Sequence, residues 1–359
     1  MGASVIRGAA ETPATAEPSS APAPAPATVY RPLAALCFVA AYAVLAAANG
    51  VTAAMLLQEI DIAAFTFVSF LCAALMFYAV RRYRERNGPS QVLALGLGKR
   101  EIGALNVTTG LSWILMYVAY ANLEPAVAAT LMCSVGPFVA IAFESGAGPA
   151  RRTPARWALA AGFVAGGAVL FYGSLSGRSA VVGFEQSRIL LGAAAAIGCG
   201  YFMTVSTVYL KRLSVRGFRT DQVMAHRFYM LLAVTGGYAL WQGTLVETAL
   251  AHGPLIMGLS VIGVVFPMVL LQRGITLGTP FLTMVVMAGA PLVSIVLQLF
   301  DGRLAVSPLS LIGVGLTFIV SVAAIRVVLA PIAAPATAPA TAPAPVPAPA
   351  PPAAPASAT

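Results

Sequence analysis

The residues able to do chemistry in this chain are few, and they sit inside apolar stretches. Asn106, Trp113, Tyr117 and Tyr120 follow one another at spacings of seven, four and three, which places them on one face of a helix. Tyr42, Asn49 and Thr52 share a face in an earlier stretch. Thr279, Thr283, Met287, Ser294 and Gln298 form a stripe in a later one, and Tyr201, Thr204 and Tyr209 phase more loosely. Such sets offer aromatic surfaces and hydrogen bonds, which suit the holding of an organic molecule. Each also has a plainer reading. Thr and Ser mediate helix packing in lipid, and Tyr or Trp near the end of a span anchors it at the membrane surface. Trp113 and Asn49 lie nearer the middle of their stretches, where anchoring is not expected.

The pair His226-Arg227 is of another kind. Arg227 follows Asp221 by six residues, about 9 Å along a helix rising ~1.5 Å per residue. A charge at that depth is costly unless it is paired or snorkels to the surface, so a partner on another helix is expected. Two roles stay open for it, a structural anchor and a substrate or coupling group. Proton coupling in membranes uses buried carboxylates or His. No carboxylate lies deep in an apolar stretch, and His226 and Glu144 are the candidate carriers.

An enzyme would need a constellation that is missing. The chain has two histidines, His226 and His252, and no H-E-x-x-H, G-x-S-x-G or phosphate-cradling G-x-x-x-x-G-K-[ST]. No catalytic residues and no cofactor are expected. Cys37, Cys72, Cys133 and Cys199 all fall in apolar runs without a C-x-x-C, so they read as small buried hydrophobes and not as a metal site or disulfides.

The elements that hold these residues follow from composition. Of 359 residues, 59% are hydrophobic and 9% charged, against about 25% charged in soluble domains. That excludes a soluble globular protein, and it excludes a disordered chain as well. Residues 1–30 and 331–359 are Ala- and Pro-rich tails with no core to fold around, expected to be disordered spacers. The first tail has no apolar region of the signal-peptide kind. Between the tails lie ten apolar segments, at about 33–57, 62–80, 102–121, 125–144, 155–173, 189–210, 222–243, 254–273, 279–299 and 306–329. Each is close to the ~20 residues that a spanning helix takes, and no alternating ten-residue pattern of a β-barrel occurs. The fold class expected is therefore all-α integral membrane with ten transmembrane helices.

The net charge of +9 belongs to topology and not to nucleic acid, because the basic residues sit between apolar segments. With both termini in the cytoplasm, seventeen Lys and Arg fall on the cytoplasmic side. Arg178, Arg188 and Arg303 fall on the other side, and Arg227 lies within a span. That asymmetry predicts the orientation and supports the count of ten.

The two halves match at an offset of 154. Asn122-Leu123 through Pro137-Phe138-Val139-Ala140-Ile141 aligns with Thr276-Leu277 through Pro291-Leu292-Val293-Ser294-Ile295. Gly136 and Ala290 precede the two prolines, and Pro125 and Pro280 open the two helices. Five spans per half is an odd number, so the second half enters with reversed orientation. Inverted repeats of this kind mark secondary transporters, whose site lies near the midplane between the repeats. Residues 31–173 and 174–330 are the two repeats expected, with Pro137 and Pro291 as paired hinges.

At this point the chain resembles the drug/metabolite transporter superfamily in its EamA-type form of two five-helix repeats. The resemblance covers residues 33–329. It rests on Ala290-Pro291-Leu292-Val293-Ser294-Ile295, on Leu299-Phe300-Asp301-Gly302-Arg303-Leu304, on Ile312-Gly313-Val314-Gly315-Leu316, and on Arg227-Phe228. Gly302 stands where the family commonly has Glu. The first half has Phe67 or Ser69 where the second has Arg227. The resemblance implies that the first, third, fourth, sixth, eighth and ninth helices surround a central cavity, and it implies export.

The function expected is secondary transport of a small neutral or zwitterionic metabolite by alternating access, in the cytoplasmic membrane. Asn49, Asn106, Trp113, Tyr117, Tyr201, Thr283 and Met287 are its expected contacts. His226, Arg227 and Glu144 are the coupling or charge-bearing candidates. The partners expected are the small-molecule substrate and the lipid bilayer, with no nucleic acid; a homodimer stays open. A phosphate- or nucleotide-sugar exchanger is the alternative within transport, for which only Arg227 and Arg273 are within reach as cations. A non-transporting membrane module that handles lipid or regulates a partner is the alternative from another class.

Overall fold

The computed structural model describes residues 30–87, 98–143, 153–176, 185–299 and 307–333. Residues 1–29 and 334–359 of the tails, Glu144 and the turn Asp301-Gly302-Arg303 lie outside the described residues, and residues 331–333, expected in the second tail, end the last helix. Among the described residues, all regular structure is helical, and nine helices are long and apolar enough to cross a membrane. The chain is a multi-pass membrane protein whose described residues form helices and no strands. This follows from the solvent, because a bilayer offers backbone N–H and C=O groups no partners and a helix satisfies them internally.

The first half contributes α1 (Pro32–Leu56), α2 (Ile62–Asn87), α3 (Lys99–Asn122), α4 (Pro125–Phe143) and α5 (Pro154–Leu175). The second contributes α6 (Gln186–Val215), α7 (Thr220–Ala225) and α8 (Tyr229–Gln242). Next come α9 (Thr244–Ser260), a five-residue π-helical turn (Val261–Val265) and α10 (Phe266–Leu277), which run on as one rod. Then follow α11 (Pro280–Met287), α12 (Ala290–Gln298) and α13 (Pro308–Ala333). Several helices outrun their apolar segments. α2 continues through Arg81, Arg82, Arg84 and Arg86, where Arg81 Nε pairs with Glu85 Oε1 at 2.6 Å one turn on. Hydropathy marks where a helix leaves the apolar layer, whereas such i,i+4 pairs let it continue beyond.

Two expected segments differ in kind. The segment 222–243 is not one helix. It breaks at His226–Phe228 into a six-residue and a fourteen-residue piece, neither of which alone meets the length of a span. Together they run antiparallel along the length of α2. Arg84 Nη1 lies 3.4 Å from Asp221 Oδ1 at one end, Phe77 and Phe228 stack in between, and Thr244 Oγ1 donates to Asp61 Oδ1 at 3.2 Å at the other. The segment 279–299 also breaks, at Ala288-Gly289, just before Pro291. α4 passes through Pro137 unbroken. The two prolines expected as matched hinges are therefore not alike. The residue at the offset from Gly289 is Val135, which lies within the continuous α4.

The break at His226–Phe228 is closed by one side chain. Asn106 of α3 donates its amide Nδ2–H to the His226 carbonyl at 2.6 Å, and its Oδ1 accepts the Tyr229 N–H at 2.8 Å. Two of the backbone groups freed by the break are thereby satisfied in the bundle interior.

Helix contacts are built on small residues. α3 and α6 pack antiparallel, with Asn122 beside Gly192 and Leu115 beside Gly198. α4 and α6 run side by side in the same direction, where Gly200 meets the Met132 carbonyl and Gly136 meets Thr204. α1 and α10 are antiparallel, joined at one end by Arg31 N–H to the Leu277 carbonyl at 3.0 Å. α5 and α13 are antiparallel through Gly166 against Thr317 and Leu170 against Gly313. Lipid gives helices no hydrophobic reason to associate, so close approach and dispersion carry these contacts.

The termini of α2, α3, α6 and α7 gather at one end of the bundle, which carries most of the basic residues. There Arg216 Nη1 pairs with Glu101 at 2.7 Å, Asp221 accepts from Arg84 and Arg219, and Lys211 Nζ donates to the carbonyls of Ile275 and Thr276 at 3.1 and 2.8 Å. At the opposite end, Arg188 Nε donates to Asn122 Oδ1 at 3.3 Å. Gln298 bridges α12 to the start of α4, its amide nitrogen 3.1 Å from Glu124 Oε1 and its oxygen 3.0 Å from the Ala126 N–H.

Two outcomes test this packing. Asn106→Ala leaves a carbonyl and an N–H unpaired in the interior, at about 1–3 kcal/mol each. It should lower unfolding free energy in micelles by about 2–5 kcal/mol; unchanged stability would remove the clamp. Gly200→Ala drives a methyl into the Met132 carbonyl, so folded yield should fall sharply. Gly237→Ala, on the open face of α8 with nothing within 4 Å, should express as wild type in the same fluorescence-detected size-exclusion assay.

Candidate functional site

The interior holds two small adjoining cavities. The larger, about 60 Å3, is walled by Tyr42 and Asn49 of α1, Trp113, Met116 and Tyr120 of α3, Ala129, Met132 and Cys133 of α4, and Met203 of α6. Gly263 of the π turn, Met268 of α10, Met287 of α11 and Ser294 of α12 complete it. The second, about 40 Å3, shares Tyr42, Trp113, Met116, Met203 and Met268 and adds Ser112, Ser206, Thr207 and Arg227. The shared residues make these two lobes of one interior site.

Local sequence explains how the wall is formed. The π turn puts an extra residue into the α9–α10 rod. Gly263 within it has no side chain, so Asn49 of α1 lies directly against that backbone. A Cβ there would overlap the Asn49 amide. Single-turn π segments of this kind recur at functional sites. Trp113 is held at its edge by Phe70, ring centres 4.6 Å apart, with Tyr117 tilted beside it at 5.9 Å. Five methionines line the two lobes. Met is unbranched and polarizable, so such a wall refits to different shapes.

Where α4 meets α11, Cys133 Sγ lies 3.4 Å from the Met287 carbonyl. These residues are separated by 154 positions, the same offset that aligns the halves. Asn49 and Met203, and Trp113 and Pro267, are also 154 apart and all line the cavity.

The expected site residues divide. Asn49, Trp113 and Met287 face the larger lobe, and Arg227 faces the smaller. Asn106 does not line either lobe, because both ends of its amide are committed to the helix break. Tyr117 is fully buried behind Trp113, with its ring edge on Phe65 at 5.5 Å. Thr283 is buried in α11 and donates to the Thr279 carbonyl at 3.0 Å. Tyr201 is exposed on the outer face of α6, with Phe143 and Phe202 around it. A helical stripe fixes a face only to within about a residue, and it cannot say which face of α6 turns inward. His226 turns away from both lobes, its Nδ1 hydrogen-bonded to the Tyr229 hydroxyl. Glu144 lies outside the described residues.

Arg227 departs from expectation in its partner. Asp221 is taken by Arg84 and Arg219, and the break prevents Arg227 from lying on one helix with it. Arg227 is 4% exposed. Its Nη2–H reaches Thr109 Oγ1 at 3.2 Å and Ser206 Oγ at 3.4 Å, Nη1 lies 3.5 Å from Met224 Sδ, and the guanidinium sits over the Phe228 ring at 5.5 Å. No carboxylate among the described residues is within ion-pair distance of it.

Sequence reasoning left Met116, Met132, Met203, Met268, Thr109 and Ser206 out of the site. A signal existed for Met203, which is Asn49 carried forward by the offset. Thr109 and Ser206 carried none, since hydroxyl residues are common packing elements in lipid.

A larger hollow of about 400 Å3 lies between α2, α3 and α8. It opens past Val234 and Tyr238, which are exposed, and its one acid, Asp61, is engaged by the Ala64 N–H at 2.8 Å. Its lining is mostly apolar, and Thr66 and Thr235 donate to carbonyls of their own helices.

No protein-family model matches this chain, and no curated protein does. The fold does have a counterpart among solved structures. A crystal structure described only as that of a protein superposes with a TM-score of 0.56 at 20% identity, covering 86% of this chain and 100% of the other.

Proposed function

We propose that the chain is a secondary transporter of a small organic metabolite, working by alternating access in the cytoplasmic membrane with both termini in the cytoplasm. It would be built as two inverted five-helix repeats of the EamA type, with export as its direction. The observation that carries the reading is the interior site itself. It lies between the halves, and it is walled by α1, α3, α4, α6, the π turn with α10, and α11–α12. Counting α7–α8 as one crossing, these are the first, third, fourth, sixth, eighth and ninth spans, the six that the resemblance implies.

The helix directions support the count of ten. α7–α8 accompanies α2 along its whole length, so it traverses the same thickness. With that crossing included, every antiparallel or parallel contact agrees with strict alternation through ten spans. The contact of Cys133 with Met287 supports the repeat, since a residue near a pseudo-two-fold axis lies against its own counterpart.

Size supports a moving site. Sites for small molecules enclose about 300–1,000 Å3, far above the two lobes here. A metabolite enters only when the walls part, and the polar contacts at both ends of the bundle are what must open. Gly289 and Pro291 give α11–α12 a joint where this can happen, whereas Pro137 sits in a continuous helix.

Trp113 supplies the test. Purified protein in proteoliposomes, loaded with a mixed pool of small metabolites, should show saturable counterflow. Trp113→Ala should abolish it at near-normal melting temperature, because the ring faces a cavity on one side. A variant that loses fold and flux together would make Trp113 a core residue. Absence of flux for every metabolite in the wild type would favour the non-transporting alternative.

A further inference from the structure

We infer that Arg227 is the receptor for a carboxylate on the transported molecule, so that the cargo class is small organic acids and amino acids with an apolar side group. This rests on the transport reading above and names its substrate class.

The argument begins from an unbalanced charge. A buried guanidinium is retained where a partner compensates its lost hydration. Arg227 is almost wholly buried, yet among the described residues it meets two hydroxyls, a thioether and an aromatic face, and no acid. A guanidinium has five N–H donors. Here Nε–H has no acceptor, and the group lines the smaller lobe of the cavity. A guanidinium with an unsatisfied donor and a full positive charge thus stands at the wall of the space where a ligand would sit.

The setting selects the anion. Thr109 Oγ1 and Ser206 Oγ stand 3.2 Å apart beside the guanidinium. Ser206 also lines the smaller lobe, and with Thr109 donating to it, its hydroxyl can donate to a second oxygen while Arg227 binds in fork geometry. Arg227 is the single cation lining either lobe, and Arg273 is exposed on α10. One positive charge balances a carboxylate. A phosphate dianion would want two or more, which disfavours the phosphate-exchange alternative. The shared wall of Trp113, Met116, Met203 and Met268 receives the apolar remainder. No acid lines either lobe, so an ammonium group is tolerated near Asn49 and the Tyr42 hydroxyl and is not required.

The break at His226–Phe228 serves this placement. It turns Arg227 inward between α3 and α6, and the Asn106 clamp removes the backbone cost of doing so.

The test uses matched probes and a single tryptophan. In Trp157→Phe/Trp241→Phe protein, Trp113 is the one remaining indole of three. Binding is read by its fluorescence in detergent and transport by counterflow in proteoliposomes. The probes are carboxylates with propyl, isobutyl and benzyl side groups, their α-amino acids, their neutral amides and the corresponding amines. Carboxylates and amino acids should bind at least tenfold tighter than the amide or amine of the same side group. Arg227→Met should abolish that preference. It should fold at least as stably as wild type without ligand, because an unbalanced charge is replaced by an apolar chain of similar reach. Arg227→Lys should keep part of the preference. If no carboxylate outbinds its amide, or if Arg227→Met keeps the preference, the inference is overturned. Loss of folding in both variants alongside equal binding of acid and amide by the parent would make Arg227 a structural anchor. Selective carboxylate binding without flux would retain the receptor and overturn transport. Flux of amides equal to that of acids would do the reverse.

Discussion

The constraint on which the structure depends is that no backbone polar group can be left without a partner in the apolar layer. The interruption at His226–Phe228 strains against it, and the Asn106 side chain answers at two of the freed groups. Asn106 is suited because its amide carries a donor and an acceptor on one planar group, which matches a carbonyl and an N–H left facing each other. With those satisfied, α7–α8 can break and still run the length of α2. The break in turn points Arg227 into the bundle instead of along its own helix. Position, charge and cavity therefore trace back to a bidentate contact between α3 and the backbone of its neighbour.

A second constraint is distance. The interior site exists because backbones approach closely elsewhere. Gly200 lets α4 and α6 meet at the level of Met132, and Gly263 lets α1 press Asn49 onto the π turn. Each is a site where one methyl would push helices apart. The wall between these fixed contacts is mostly Met and aromatic, so a rigid frame surrounds an adaptable lining. That division suits a site whose occupant enters by displacing side chains.

Much of the fold was legible in the chain. Apolar segments of spanning length locate every long helix, because the bilayer allows few alternatives. Helix stripes found Asn49, Trp113 and Met287, whose polar or soft side chains stand out among Ala, Val and Leu. Other features were hidden for identifiable reasons. The break at His226–Phe228 contains neither Pro nor Gly, so no local signal announces it; the side chain that satisfies it is Asn106, 120 residues from His226. Asn106 itself read as a ligand contact because an Asn in lipid advertises only that it needs partners. Tyr201 read as inward because periodicity identifies a face without saying where that face points. The π turn is invisible to a 3.6-residue pattern, since it adds one residue to a continuous apolar run.

The offset of 154 suggests why the two halves differ where they do. Carried forward by it, Asn106 becomes Ser260, and Ser260 also donates its side chain to a backbone carbonyl of the neighbouring helix, that of Ser69 on α2. α2 stays continuous there. A hydroxyl donates and accepts through a single oxygen, whereas an amide carries donor and acceptor on separate atoms and so spans a carbonyl and an N–H that lie apart. On the proposed repeat, the third helix of each half thus braces the second helix of the other. The second helix braced by the amide is the one that breaks. The halves thus differ in what each third helix offers its neighbour, an amide at Asn106 and a hydroxyl at Ser260.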